Sequence, residues 1–175
     1  SQKTDALTSA QAALNVISRE ISNAGFGIYT GTGTRTASNG IVSADSNARR
    51  IHFRANVENT GPVGGPTVVS TNRPGEDITY FFDAATDSIV RYDPNDSPQT
   101  SAVVNRISDV TFEYFNYVGA NSSGTQVTVP NNDTGRVRIT VQVQLDPVQG
   151  QPNPLDVTFT TEVTLRNSKY MLNQY

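Results

Sequence analysis

The sequence predicts an α+β domain in which one N-terminal helix packs on an antiparallel β-sheet with long loops. Three observations lead to this fold class. The first residues carry one apolar stripe at helical spacing, several later segments alternate apolar and polar residues, and glycine, proline and asparagine separate those segments. With 175 residues, the chain suits a single domain that spans residues 1–175.

The N-terminal helix is predicted over residues 4–24. Its apolar stripe consists of Leu7, Ala10, Leu14, Ile17, Ile21 and Ala24. These residues recur at steps of three and four, which places them on one face of a helix that faces a core. Gly25 then follows, as is typical of a helix end. The first positions are polar and no hydrophobic staple precedes the stripe, so we expect the helix to continue upstream in the natural gene product.

Strands are predicted wherever apolar and polar residues alternate. The predicted strands lie at residues 41–42, 51–55, 78–82, 89–92, 103–107, 110–118, 137–145 and 155–165. A turn at residues 83–88 predicts a hairpin between 78–82 and 89–92. The last two strands are predicted to be antiparallel and to be joined by the proline-, glutamine- and asparagine-rich loop at 146–154. The polar faces of the last two strands should meet water or another protein. Residues 170–175 are expected to form a strand end or a packed tail.

Composition excludes several function classes. A formal net charge of -3 argues against direct nucleic-acid binding, which requires a basic surface. The absence of cysteine rules out disulfides, thiol catalysis and cysteine-ligated zinc within these residues. No apolar segment approaches the roughly 20 residues that span a bilayer, so any membrane attachment would require sequence outside residues 1–175.

Few side chains suggest catalytic or metal-binding chemistry. His52 is the only histidine, and no partner motif accompanies it, which favours an exposed or hydrogen-bonded role. Asp93, Asn95 and Asp96 offer oxygen ligands of the kind that calcium prefers. Their spacing does not match the twelve-residue calcium loop, which favours a turn role. The sequence thus predicts no catalytic residue, no cofactor and no metal, and leaves these three as the calcium candidates.

The order of the helix and strands resembles one known family. The end of the helix, at residues 17–27, is similar to the helix end of PilW-type minor pilins, which are related to the type II secretion pseudopilin GspJ. Strand segments in the order of that family follow at residues 77–83, 89–92, 110–115, 137–141 and 163–167. The chain therefore resembles the soluble domain of a type IV minor pilin or pseudopilin.

The resemblance implies a pilin-like fold and a structural role without enzymatic activity. Residues 1–25 would be the C-terminal half of the pilin helix, and residues 26–175 a β-rich globular region. The protein would act near the tip of a type IV pilus, in assembly initiation, adhesion or motility, with other minor pilins, the major pilin and a tip adhesin as partners. A missing apolar half-helix would hold it in the inner membrane before assembly into an extracellular pilus fibre or a periplasmic pseudopilus.

Subunit contacts are expected at helix positions away from the apolar stripe, namely Gln11, Arg19 and Glu20, and at the loops 62–66 and 119–135. A different function class stays open beside this one. The aromatic segment 112–117 favours a sheet core on one face, but exposed tyrosines such as Tyr117 could also stack on sugars. The alternative is therefore a secreted carbohydrate-binding β-module.

Overall fold

The computed structural model describes residues 2–28, 38–58, 70–96, 100–119, 123–145, 150 and 155–172. Helix α1 (Gln2–Ser22) is followed by a short 3-10 turn at Ser43–Asp45 and then by strands and one short helix. The strands are β1 (Arg50–Arg54), β2 (Asp77–Asp83), β3 (Ser88–Tyr92), β4 (Thr100–Asn105), β5 (Ile107–Asn116), β6 (Thr125–Val127), β7 (Thr134–Leu145) and β8 (Leu155–Thr164), and the short helix is α2 (Lys169–Leu172). The coarse α+β prediction is confirmed.

The strands form two four-stranded antiparallel sheets, so the prediction of one sheet was wrong. The first sheet has the order β1-β2-β3-β4 and the second the order β6-β5-β7-β8. The chain leaves the first sheet at Arg106, whose φ of 61° lies in the left-handed region between β4 and β5. Alternation shows which face of a strand is buried, but it does not show which strand lies next to it.

Helix α1 packs its apolar stripe into a core that both sheets share. Ala10, Leu14, Ile17, Ile21 and Ala24 are all buried, and Leu7 packs against the same core from a partly buried position. The helix ends two residues before the predicted boundary, and a turn over residues 23–27 follows. The buried stripe fixes the helix across the sheets and leaves its opposite face to solvent. No helix in the described part of the chain is long and apolar enough to cross a membrane.

The predicted hairpin and the predicted antiparallel arrangement of the last two strands are both confirmed. Strands β2 and β3 pair antiparallel, and β7 and β8 form an unbroken ladder from Arg136 opposite Thr164 to Leu145 opposite Leu155. Three short segments differ from the prediction. Residues 41–42 contribute one isolated bridge between Ile41 and Phe53, β6 was not predicted, and the C-terminal segment forms α2. The loop at 62–66 and part of 119–135 lie outside the described residues.

The end of α1 meets β1 through two glycines. The Gly25 N–H donates to the Arg54 carbonyl at 2.9 Å, and the Arg54 N–H donates to the Gly40 carbonyl at 2.8 Å. Both glycines have positive φ, 83° at Gly25 and 74° at Gly40, a conformation that glycine adopts without a steric penalty. These bonds set the position of the helix end relative to the first sheet.

Two tyrosines of the core make alkaline pH destabilising. Burial raises the pKa of Tyr80 and of Tyr114 above the usual value of about 10, and the negative charge of Glu20 adds to the effect at Tyr80. Above about pH 10, both phenols thus stay neutral in the folded state, whereas in the unfolded chain they ionise. The stability that this contributes is complete below about pH 10 and is lost as the pH rises further, by about 1.4 kcal/mol per pH unit for each tyrosine.

Urea unfolding between roughly pH 8 and pH 11 measures this loss as the slope of unfolding free energy against pH above about pH 10. We expect Tyr114→Phe to remove about half of the contribution of the two tyrosines, because phenylalanine does not ionise. A slope that is the same in the variant and the parent chain would contradict the assignment.

Candidate functional site

A groove of about 300 Å³ lies between the C-terminal half of α1 and the first sheet, and is called the helix groove below. Its lining residues are Val16, Arg19, Glu20 and Asn23 from the helix, with Phe53, Ala55, Val57 and Gly75 on the other side. The burial of the stripe residues turns these helix positions outward, because they fall between the stripe positions along the sequence. The groove is therefore a direct consequence of how α1 packs.

The helix groove combines apolar walls with one cationic side chain. Phe53 and Ala55 are buried, whereas Val16 is 57% exposed and Val57 44% exposed. The exposed Arg19 side chain has no ion-pair partner among the residues that the structure describes. An exposed apolar pair beside an uncompensated cation suits a contact with an apolar and acidic surface.

Glu20, one of the predicted contact residues, is bonded within the fold. Its carboxylate accepts hydrogen bonds from Nε and Nη2 of Arg91, both at 2.9 Å, and from the hydroxyl of Tyr80. The hydrogen bond with Glu20 raises the pKa of Arg91. Because Arg91 lies on β3 and Tyr80 on β2, this cluster fastens the helix to the first sheet. We therefore assign Glu20 to the stability of the fold.

The other two predicted contact residues have exposed positions on α1. Arg19 lines the helix groove, whereas Gln11 is exposed and is not part of the groove lining. Val16 and Val57 could not be identified from the sequence, since single apolar residues on a polar face are common. Their shared position at the groove depends on the tertiary packing of the helix.

The three calcium candidates form the turn after β3. The buried carboxylate of Asp93 accepts the N–H of Asn95 at 3.0 Å and the N–H of Gly75 at 2.8 Å. The amide nitrogen of Asn95 donates to the carbonyls of Thr71 and Arg73. The Asp96 N–H donates to the Asp93 carbonyl at 3.3 Å. Among the described residues, no group of three or more histidine, cysteine, aspartate or glutamate side chains could hold a metal ion.

His52 has two partners that sequence reasoning missed. Its Nδ1 lies 2.9 Å from Oδ2 of Asp45, and its Nε2 lies 2.5 Å from Oδ1 of Asp77. Arg50 pairs with Asp45 at 3.0 Å, and Arg54 pairs with Asp77 at 3.5 Å. The alternation of Arg50, His52 and Arg54 along β1 shows in the sequence that these three side chains share one face, but it does not identify their acidic partners. These contacts link the side chains of β1 to the 3-10 turn on one side and to the first residue of β2 on the other.

The aromatic segment is engaged in contacts within the chain. Phe112 and Tyr114 are buried in the core, which confirms the interpretation of one face as sheet core. On the other face, the guanidinium of Arg136 lies 3.9 Å from the centre of the Phe115 ring. Tyr117 stacks on the ring of Tyr170 at 3.9 Å, and its hydroxyl accepts a hydrogen bond from Nε of Arg136. Tyr117 therefore does not present an isolated ring for stacking on a sugar.

Comparison of the chain with models of protein families, with characterised proteins and with solved structures finds no match.

Proposed function

We propose that this chain is the globular region of a structural subunit of the type IV minor pilin or pseudopilin class. One observation carries the proposal: α1 buries its stripe in the core while its other face exposes Val16 beside the unpaired Arg19 at the helix groove. A helix that packs on its own domain with one face and offers an apolar and charged face outward is suited to assembly with neighbouring subunits.

In this proposal, the helix groove receives a surface of another fibre subunit. The partner presents an apolar side chain to Val16 and Val57 and a carboxylate to Arg19, because these are the groups that the groove leaves without partners among the described residues. The partners are other minor pilins, the major pilin or a tip adhesin. The role is in assembly, adhesion or motility, with no enzymatic step.

The proposal also specifies where the protein lies. The natural protein would be held in the inner membrane by an apolar helix that precedes α1, and would then enter an extracellular pilus fibre or a periplasmic pseudopilus. This placement rests on the resemblance of the helix end and the strand order to the minor pilins.

Incorporation into sheared surface fibres tests this function in the source cell, with the natural full-length protein. We expect Val16→Asp to reduce the amount of the protein in the fibre fraction at least about tenfold, because a buried charge at the centre of an apolar contact removes more than about 1.4 kcal/mol of binding free energy. Val16 is exposed in the free protein, so the stability of the variant should stay within about 0.5 kcal/mol of the parent.

Arg19→Gln and Gln11→Glu form a matched pair, since each lowers the net charge by one. We expect Arg19→Gln to reduce incorporation several-fold and Gln11→Glu to leave it unchanged, because only Arg19 lines the helix groove. Equal incorporation of the parent and of the Val16→Asp, Arg19→Gln and Gln11→Glu variants would show that the helix groove does not contact another subunit. Absence of the parent protein from every fibre fraction would contradict the proposed function itself.

A further inference from the structure

The outer edge of β8 is a long strand edge without a backbone partner in the described part of the chain. β8 lies at the end of its sheet and pairs only with β7, through ten consecutive residue pairs from Arg136 opposite Thr164 to Leu145 opposite Leu155. By contrast, the other edge of this sheet is β6, with three residues, and the edge of β1 is met by Ile41. Proteins usually shorten, charge or cover such edges to prevent unwanted pairing.

The register shows which backbone groups of β8 point outward. The Leu165 N–H donates to the Gly135 carbonyl at 2.9 Å, so this directly opposed pair is a hydrogen-bonded pair. In an antiparallel ladder, hydrogen-bonded and non-hydrogen-bonded pairs alternate. The odd-numbered residues of β8 therefore bond to β7. The N–H and C=O groups that point to the open edge belong to Asp156, Thr158, Thr160, Glu162 and Thr164.

The side chains of β8 define what could pair with this edge. On the face towards α1, Val157 and Phe159 are only partly buried, so an added strand with apolar side chains on that face would cover them. On the outer face, Glu162 already pairs with Arg136 and Arg138. Asp156 is exposed and has no ion-pair partner among the described residues. β8 contains no lysine, arginine or proline that would protect its edge.

We propose that the outer edge of β8 is a docking site for an extended segment of a partner protein, which pairs with β8 as an additional strand. The segment carries apolar side chains on the face of Val157 and Phe159, polar side chains on the other face, and a lysine or arginine beside Asp156. The backbone bonds provide affinity, and the alternation and the charge provide selectivity. This site does not use the helix groove, so it stands independently of the proposed function.

The test uses the purified chain and a synthetic peptide that alternates threonine and valine and ends in lysine. Antiparallel pairing places that lysine beside Asp156, and a second peptide with a terminal glutamate is the charge control. We expect the lysine peptide to bind saturably in fluorescence polarisation, and the glutamate peptide to bind about fivefold more weakly, as expected for one cross-strand charge pair.

Thr158→Pro and Thr158→Val separate backbone pairing from side-chain contact. The Thr158 N–H points to the open edge, so proline removes one donor of the docking site and leaves the ladder with β7 intact, whereas valine keeps the donor. We expect the proline variant to lose at least about tenfold in peptide affinity and the valine variant to bind like the parent. Circular dichroism and thermal unfolding establish that both variants fold.

Asp156→Lys tests the charge without any backbone change, and we expect it to reverse the preference from the lysine peptide to the glutamate peptide. Absence of saturable binding to the parent chain would overturn the proposal, and so would equal binding by the proline and valine variants. A dimer in sedimentation that Thr158→Pro dissociates would also overturn it, because a second copy would then occupy the edge.

Discussion

Replacement of Gly25 by alanine is expected to lower the free energy of unfolding by about 3 kcal/mol or more. Two terms add at this position. The φ of 83° places a side chain in the left-handed region, which costs roughly 1–2 kcal/mol for a residue other than glycine. A Cβ atom at Gly25 would also lie 1.9 Å from the carbonyl oxygen of Ser38, so the backbone at the end of α1 must shift.

Gly119→Ala is the matched control for this prediction. Gly119 has almost the same φ, 82°, but a Cβ atom there would meet nothing within 4 Å. The control therefore isolates the conformational term, and we expect a loss of about 1 kcal/mol. Urea unfolding of the two variants gives the difference between them. Equal losses would show that the contact between the helix end and residues 38–40 does not constrain the fold.

Glu20→Gln is expected to destabilise the protein by about 2 kcal/mol, the second largest effect. The substitution keeps the size of the side chain but removes the negative charge of the carboxylate to which Arg91 and Tyr80 both donate hydrogen bonds. Breaking a fully buried ion pair costs about 3–5 kcal/mol. A smaller cost applies here because the side chains of Glu20 and Arg91 are 25% and 22% exposed. The variant would lose the ion pair between α1 and Arg91 on β3 and would weaken the hydrogen bond between α1 and Tyr80 on β2.

Thermal and urea unfolding measure this effect, with Arg19→Gln as the neighbouring control. Arg19 is exposed and has no partner among the described residues, so its replacement should change the unfolding free energy by less than about 0.5 kcal/mol. A Glu20→Gln variant as stable as the Arg19→Gln variant would contradict the structural assignment of Glu20.

The parts of the fold that could be predicted are those with local signals. The stripe of α1 repeats within the helix itself, and the two confirmed strand pairs each join alternating strands that are consecutive in the sequence. β6 was missed because its three residues are too few to show alternation. The division into two sheets was missed because strand pairing depends on long-range register, which a single strand does not display.

The candidate site was predicted only in part, for the same physical reason. Arg19 could be placed on the outward face of α1 from helical periodicity alone. Glu20 has a similar position along the helix, but its partner Arg91 is 71 residues away in the sequence. His52 likewise bonds to Asp77, 25 residues away. Many residues of the chain carry the opposite charge to Glu20 or His52. Only the folded arrangement of the strands determines which of them lies close enough to form the pair.

Cross-linking from position 16 shows whether the outward face of α1 contacts another fibre subunit. The chain contains no cysteine, so Val16→Cys introduces the only thiol within it, and Gln144→Cys on the exposed end of β7 provides a control site. A thiol-specific cross-linker would be applied to sheared surface fibres from cells that express the natural full-length protein with either change. We expect an adduct with another fibre subunit from position 16 and none from position 144. Recovery of the protein from the fibres with no adduct at position 16 would contradict this contact.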